Sequence, residues 1–257
     1  MAPSVFDRRG EHSRVHHQPA DPNETEAALR ALLACPTGSI GAVEKHDLID
    51  TRNAFPIVID GEVHHCGYHA ESSFGAASYF IRRPPERGGN VLIDSPRFTN
   101  TLVRRLEEMG GVATMFLTHG DDLADQAKYA AHFDCVRVMH AADAPPEIER
   151  KIVGIEPAAI DPELLVIPTP GHTRGSACLL FRETHLFSGD HVAWSESRKQ
   201  IIGFRDACWY SWDRQIESME RLARHRFEWI LPGHGRRCQL SAERMAEEMA
   251  KCVEWMR

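Results

Sequence analysis

Four residues that can bind metal ions each follow a short apolar segment in this chain, and this arrangement constrains its fold more than any other feature. His119 and His172 follow two such segments, and Asp190 and His234 each come directly after a glycine that ends another. A side chain at a tight turn after a strand is aimed by the rigid sheet behind it. Since four such turns can meet at one edge, the sequence predicts a metal site carried by a sheet.

Two motifs around these ligands are more specific. They read Gly171-His172-Thr173-x-Gly175-Ser176 and Ser188-Gly189-Asp190. Together with the order of the ligands, they resemble the metallo-β-lactamase superfamily from about Phe55 to the C-terminus. In that family the ligands follow the order His-x-His-x-Asp-His, then His, then Asp, then His. The resemblance implies an α/β fold, the αββα sandwich, with the metals at one edge of two facing sheets.

The first ligand cluster departs from the family pattern, because Asp121 stands where a second histidine is expected. If two extra residues are allowed, Asp125 takes the position of the family's aspartate and Gln126 that of its final histidine. The resemblance then implies a first metal position with His119, Asp121 and His172, and a second with Asp125 and His234, bridged by Asp190.

Gln126 leaves the second metal position one imidazole short. Neutral imidazole suits zinc, iron and copper, whereas an amide oxygen is a weak ligand for them. We therefore expect the second metal to bind weakly, with Gln126 as a degenerate position. Asp121 has an alternative role as well, because an aspartate here can cap the helix that follows.

Two chemistries are open for such a site. In a hydrolase, a metal ion activates water as hydroxide and polarises a carbonyl, and Asp125 and Asp190 are the catalytic carboxylates. We expect a thioester, ester or lactone substrate in this case, with one or two Zn²⁺. The alternative uses His119, His172 and Asp190 alone, a 2-His-1-carboxylate set suited to Fe²⁺ and oxygen. The persulfide dioxygenases of the superfamily use the equivalent three residues.

The first 41 residues or so show a second resemblance, to the back half of a bacterial-type ferredoxin. It depends on Ala2-Pro3-Ser4-Val5-Phe6-Asp7 and on Ala34-Cys35-Pro36-Thr37-Gly38-Ser39-Ile40. In that family the Cys-Pro completes the ligands of a 4Fe–4S cluster, whose other thiolates come from an upstream C-x₂-C-x₂-C run. That run is absent, so we expect no cluster in this chain as given, with Cys35 as a remnant of the site.

Three explanations for this segment are open: a start at an internal Met, a vestigial α+β cap, or an ordinary buried thiol at Cys35. The first is favoured because Met1-Ala2-Pro3 falls within the motif. We expect a truncated ferredoxin-like segment at 1–45 and a metallo-β-lactamase-like domain at 46–257. A fused ferredoxin module also implies a redox partner, and a third interpretation is a redox-partner module that has lost catalysis.

Composition excludes several other classes of protein. The formal net charge of −7 argues against nucleic-acid binding, and the chain contains no run of 18 apolar residues. The N-terminus lacks the apolar region of a secretory signal. The seven cysteines include no C-x-x-C pair, which favours reduced thiols in the cytoplasm over a disulfide framework.

Three further residues are candidates for contact with a small-molecule substrate. Trp209 and Tyr210 belong to an aromatic cluster after the Asp190 turn, where the superfamily builds one wall of its cleft. The cluster can equally dock a helix. His69 lies near the first strands, where a loop overhangs the metals in related enzymes.

Apolar periodicity predicts the order of helices and strands. Helices are expected at 23–34, 99–109, 123–132, 145–152, 212–224 and 242–255. Strands are expected at 56–60, 63–66, 76–81, 90–94, 112–117, 136–139, 164–168, 176–181, 185–187 and 229–231. The strand at 112–117 is a nearly unbroken apolar run, which is typical of a strand buried on both faces.

Overall fold

The computed structural model describes residues 1–9 and 12–257. Its helices are α1 Pro22–Ala34, α2 Ile49–Asn53, α3 Asn100–Glu108, α4 Gln126–Phe133, α5 Trp212–Leu222 and α6 Ala242–Met256. Its strands are β1 Phe6–Arg9, β2 His12–Val15, β3 Ile57–Asp60, β4 Val63–His65, β5 Tyr79–Ile81, β6 Val91–Ile93, β7 Thr114–Leu117, β8 Val136–His140, β9 Arg150–Ile152, β10 Ala158–Asp161, β11 Leu164–Pro168, β12 Ala177–Phe181, β13 His185–Gly189, β14 Ala193–Ser195, β15 Gln200–Ile202, β16 Trp229–Pro232 and β17 Cys238–Gln239.

Two large sheets form the centre of the described structure. The first has the order β3-β4-β5-β6-β7-β8-β9, antiparallel up to β6 and parallel beyond it. The second has the order β10-β11-β12-β13-β16-β17, in which only β13 and β16 run parallel among the described strands. Each sheet therefore carries turns that follow parallel strands at one edge, which is where the candidate ligands lie.

Three apolar layers hold these sheets and helices together. Between the sheets, Ile81 and Phe116 of the first pack with Val166, Leu179 and Phe187 of the second. On the outer face of the first sheet lie α3 and α4, through Leu102, Leu106 and Tyr129. On the outer face of the second sheet lie α5 and α6, through Met219, Leu222, Met245 and Met249. These layers confirm the αββα sandwich.

The alternation of side chains along β6 and β7 explains why β6 and the last three residues of β7 are apolar. Val91, Ile93 and Phe116 face the second sheet, whereas Leu92 and Met115 face the helices. Successive residues of a strand point to opposite faces, so a strand between two apolar layers needs apolar residues at every position. The expected burial on both faces is confirmed for Met115–Leu117, whereas Ala113 is exposed and Thr114 is half-buried.

Four of the helices begin where the sequence supplies a side chain that accepts a hydrogen bond from the first turn. Asp21 accepts from the Glu24 amide, Thr99 from the Leu102 amide, and the Ser211 and Ser241 side chains cap α5 and α6 in the same way. Such caps satisfy amides that have no partner within the helix.

The predicted helix at 145–152 is wrong. The segment instead ends in the strand Arg150–Ile152, which pairs in parallel with β8 at the edge of the first sheet. Pairing with a neighbouring strand overrides weak local periodicity, and Ile152 is buried against the second sheet.

The N-terminal segment combines the β1–β2 hairpin with α1. The C-terminal end of α1 contacts the sandwich. There the Ala34 carbonyl accepts a hydrogen bond from the His69 amide at 3.2 Å, and Leu33 packs against the apolar layer between the first sheet and α3 and α4. In the part of the chain that the structure describes, no helix combines the length and apolar character needed to cross a membrane.

Replacing Phe116 with Ala should reduce the free energy of unfolding by about 3–5 kcal/mol, because it opens a cavity between the two sheets. Urea unfolding followed by circular dichroism measures the loss. The control is Val136→Ala, at an exposed strand position, which should cost less than about 1 kcal/mol. Similar losses for both variants would contradict this description of the core.

Candidate metal centre

The turns at one edge of the two sheets bring His119, His172 and Asp190 together. The Asp190 Oδ2 atom lies 3.8 Å from the Nε2 atom of each histidine. Gly189, directly before Asp190, has a left-handed φ of 49°, and a Cβ there would lie 2.6 Å from Thr118 Oγ1. Glycine is therefore required where the Asp190 turn packs against the strand that leads to His119.

Hydrogen bonds to the other ring nitrogen orient both histidines. The Thr118 hydroxyl donates to Asp94 and lies 2.9 Å from His119 Nδ1, so its oxygen accepts the Nδ1 proton. The Ala207 carbonyl accepts from His172 Nδ1. In both rings Nε2 is then the bare nitrogen that faces the site, which is how metal-binding histidines are held in proteins.

These two Nε2 atoms are buried and have no hydrogen-bond partner in the described part of the chain, and the same is true of both oxygens of Asp122. A buried polar atom without a partner is costly, and several that converge indicate a missing ligand or ion. The donor set of imidazole and carboxylate is the one that binds Zn²⁺ and Fe²⁺.

Two aspartates complete the cluster. Asp121 Oδ2 lies 3.3 Å from His172 Nε2, and Asp122 Oδ2 lies 3.9 Å from His119 Nε2. Within each of two groups of three, the ligand atoms are all within 4.8 Å of one another. The groups are His119, Asp121 and His172, and His119, Asp122 and Asp190. Ligand atoms at these separations surround a space of the size that one metal ion occupies.

The electrostatics of the cluster favour a cation. Burial lowers the pKa of His119 to about 4, so the imidazole is neutral. Burial raises the pKa of Asp122 well above its usual range, and the nearby charges of Asp94 and Asp190 raise it further. Burial also raises the pKa of Asp94, to about 7. Mutual repulsion among buried carboxylates disappears when a positive ion lies between them.

Asp125 and Gln126 lie outside this cluster, which corrects the roles expected for them. Asp125 accepts from the Phe98 amide at 2.8 Å and pairs with Lys128 at 2.7 Å. Gln126 Oε1 accepts from the buried Arg137 guanidinium at 2.7 Å. The cause is a 3₁₀ turn at Gly120–Asp122, which brings Asp122 to the place beside His119 and Asp190 that the family's ligand order had assigned to Asp125.

His234 lies beside Asp190, and both of its ring nitrogens are engaged. Nδ1 lies 2.9 Å from Asp190 Oδ1, and Nε2 lies 3.3 Å from the Phe74 carbonyl. Although burial lowers the pKa of His234, the hydrogen bond to Asp190 outweighs this and raises it. Among the described residues, neither group of three candidate ligands includes His234, so the structure places it next to the cluster and hydrogen-bonded to one of its carboxylates.

A cavity of about 320 Å³ opens onto the cluster. Its apolar wall consists of Phe74, Phe204, Ala207 and Trp209. The Trp209 amide donates to the His172 carbonyl at 2.9 Å, so this wall is attached to a candidate ligand. Tyr210 does not line the cavity; its ring packs under the Arg174 guanidinium. Sequence reasoning missed Phe74 and Phe204, because no motif marks either residue.

His69 and Cys35 belong to a different cavity, of about 770 Å³, beside the N-terminal segment. His69 Nε2 lies 3.1 Å from His65 Nε2, and burial lowers the pKa of His69 to about 4. Burial raises the pKa of the Cys35 thiol, but hydrogen bonds from Ser39 and Thr37 outweigh this and lower the pKa to about 6. The seven cysteines, all of them in described residues, are free thiols.

Comparison with known proteins places the fold. Residues 1–42 match the 4Fe-4S single cluster domain of Ferredoxin I, and no curated protein sequence matches the chain. The solved structure of ETHE1 from Myxococcus xanthus is 18% identical over 76% of this chain and 89% of its own, with a TM-score of 0.52.

Two further solved structures are similar. The BLEG-1 B3 metallo-β-lactamase is 14% identical over 73% of this chain and 96% of its own, with a TM-score of 0.56. TTHA1623 in a di-iron-bound form is 19% identical over 77% and 98%, with a TM-score of 0.52. At these identities the likeness concerns the fold alone, and the chain has the metallo-β-lactamase fold, with a ferredoxin-like segment at its start.

Replacing Gln126 with His should leave the metal content unchanged and lower the free energy of unfolding by about 1–3 kcal/mol, because the buried Nη1 group of Arg137 loses the Gln126 acceptor. Elemental analysis measures the metal per chain, and urea unfolding measures stability. An additional metal ion in the variant would show that residue 126 can reach the cluster.

Replacing His69 with Gln should make stability less dependent on pH. Because the pKa of His69 is lowered to about 4, the unfolded chain binds more protons than the folded chain between about pH 4 and 6.5. Stability therefore rises with pH through this window and is lost on acidification. The variant should show a smaller slope, by at most about 1.4 kcal/mol per pH unit.

Urea unfolding at several pH values measures the slope for both proteins. The same replacement at the exposed His46 is the control and should leave the slope as it is in the wild type. Equal slopes for wild type and His69→Gln would contradict the assignment of a neutral, buried His69.

Proposed function

We propose that this protein is a metal-dependent hydrolase that uses a single metal ion and acts on a small-molecule thioester, ester or lactone. The observation that carries the proposal is the convergence of two buried, unpartnered imidazole nitrogens on the Asp190 carboxylate, with the unpartnered Asp122 carboxylate beside them among the described residues. Two histidines and one carboxylate form the ligand set of several zinc hydrolases.

The residues present fit Zn²⁺ or Fe²⁺. His119, His172 and Asp190 would hold the ion, with Asp121 as a further ligand at the more exposed side. When bound, such an ion lowers the pKa of a coordinated water to about 7 and polarises a carbonyl oxygen.

Asp122 is the residue we expect to act as the general base. Its carboxylate faces the cluster, and its two oxygens are buried without a partner in the described structure. Beside a bound cation this carboxyl group is ionised, so it can accept a proton from water that it reaches. Asp122 would take the proton of the attacking water, while Trp209 and Phe204 line the apolar side of the cavity.

A second candidate function is oxidation of a sulfur compound by a mononuclear non-haem iron site. It is favoured by the engagement of Gln126 with Arg137 and of His234 with Asp190 and Phe74. These contacts leave a 2-His-1-carboxylate set, the arrangement suited to Fe²⁺ and oxygen. TTHA1623, whose fold is similar, is known in a di-iron-bound form, which supports an iron site on this scaffold. The ferredoxin-like segment supports a redox partner in that case.

Metal analysis joined to two assays separates the candidates. For the hydrolase we expect about one Zn²⁺ per chain and turnover of thioesters or lactones. About one Fe²⁺ with oxygen uptake on glutathione persulfide would support the oxygenase. A chain that binds neither metal after reconstitution would overturn both and favour a redox-partner module without catalysis.

Replacing Asp122 with Asn should lower kcat by about 10²-fold or more, because a general base typically contributes 10²–10⁴-fold, while about one metal ion per chain is retained. The matched control is Asp125→Asn. It alters the carboxylate that the family's ligand order suggested as catalytic, and it should keep kcat within about threefold of wild type. The opposite result, with Asp125→Asn inactive and Asp122→Asn active, would show that our assignment of the base is wrong.

A further inference from the structure

We propose that Asp143 is a positioning residue that holds the two ligand loops of the metal centre at a fixed separation. The inference rests on the proposed metal binding but not on the reaction. One loop, residues 119–122, follows β7 and supplies His119, Asp121 and Asp122; the other, residues 171–175, follows β11 and supplies His172. Asp143 belongs to neither loop, since it lies in the turn that follows β8.

The Asp143 carboxylate accepts hydrogen bonds from both loops. Oδ2 accepts from the Gly120 amide at 3.1 Å and from the Thr173 hydroxyl. Oδ1 accepts from the Gly175 amide at 2.7 Å. The Asp143 amide itself donates to the His140 carbonyl at 3.1 Å, which anchors the carboxylate to the end of β8. One ionised side chain therefore joins three separate elements, and hydrogen bonds to a charged acceptor are the strong ones.

The approach of the loop to Asp143 leaves no space for a side chain at Gly175. A Cβ at this position would lie 2.6 Å from the amide nitrogen and from Cγ of Asp143. Contact with Asp143 therefore explains why the motif at Gly171–Ser176 has a glycine at position 175. Such contact keeps the distance between the loop and the turn within a narrow range.

The positions that Asp143 holds are next to the ligands in sequence. Gly120 separates His119 from Asp121, and Thr173 directly follows His172. Asp121 Oδ2 of one loop lies 3.3 Å from His172 Nε2 of the other, so this ligand pair spans the gap that Asp143 bridges. Residues that orient metal ligands from behind typically contribute 10–100-fold to metal affinity.

Only a carboxylate can satisfy these three donors. An amide at residue 143 has a single acceptor oxygen, so its NH₂ group would face the Gly175 amide or the donors from Gly120 and Thr173. Asp143→Asn keeps the volume and shape of the side chain while it introduces this mismatch. The substitution therefore tests positioning with little change in packing.

The test measures binding of Co²⁺ and Zn²⁺ to the full chain without substrate. For Asp143→Asn we expect the Kd to rise about 10–100-fold, with a changed Co²⁺ d–d absorption spectrum because the ligand geometry is altered. Thr173→Val removes one of the three hydrogen bonds and should raise the Kd by about threefold to tenfold. This milder variant keeps the test decisive if Asp143→Asn does not fold.

Asn90→Asp is a matched control. Asn90 is buried, and like Asp143 its side chain makes three hydrogen bonds: it accepts from the Arg83 amide and donates to the Met109 and Gly111 carbonyls. It precedes β6, at the end of the first sheet that lies away from the ligand turns. The isosteric change should lower stability but leave the metal Kd and the Co²⁺ spectrum as in the wild type.

Three results would overturn the inference: wild-type Kd and spectrum in both Asp143→Asn and Thr173→Val, an equal rise in Kd in Asn90→Asp, or no metal binding by the wild type. A wild type that binds metal but hydrolyses no thioester, ester or lactone would count against the proposed hydrolase alone. The role of Asp143 would then still be supported by the affinities of the variants.

Discussion

The apolar contact between the two sheets determines where every candidate ligand lies. Phe116 and Phe187 are buried in this layer. Their strands, β7 and β13, end at Leu117 and Gly189, and His119 and Asp190 lie in the turns that follow. Because the strands are fixed face to face, the turns that follow them are held at one edge of the sandwich without direct pairing between the sheets. The candidate metal centre therefore depends on core packing, which brings together candidate ligands that lie far apart in the sequence.

A second constraint acts within that edge, since a cluster of buried carboxylates and bare imidazole nitrogens is unstable without a cation. Asp122 and the Nε2 atoms of His119 and His172 have no partner in the described chain. The protein fixes the two imidazoles from behind, through Thr118 and Ala207. This arrangement keeps the ligands pointing at one another although they repel, which is the strain that a bound metal ion relieves.

The sequence predicted the convergence of ligands because this depends on a simple geometric rule, that turns after neighbouring strands share an edge. His119, His172 and Asp190 were found in this way, and the αββα sandwich was identified through its motifs. The role of Asp122 was not found, because it depends on a 3₁₀ turn and on a left-handed residue at Ala124, neither of which local propensity indicates. The strand at Arg150–Ile152 and the wall residue Phe74 depend on long-range contacts, which periodicity does not contain.

The backbone hydrogen bonds from Trp209 and Tyr210 to the carbonyl of His172 join the aromatic wall to a candidate ligand through the main chain. A ligand that shifts the backbone of residues 209 and 210 therefore acts directly on the His172 carbonyl that accepts both hydrogen bonds. Thermodynamic linkage is reciprocal: whatever factor such a ligand imposes on the affinity for the ion, the ion imposes on the affinity for that ligand. This main-chain connection is a route by which the aromatic wall and the candidate metal ligand affect each other.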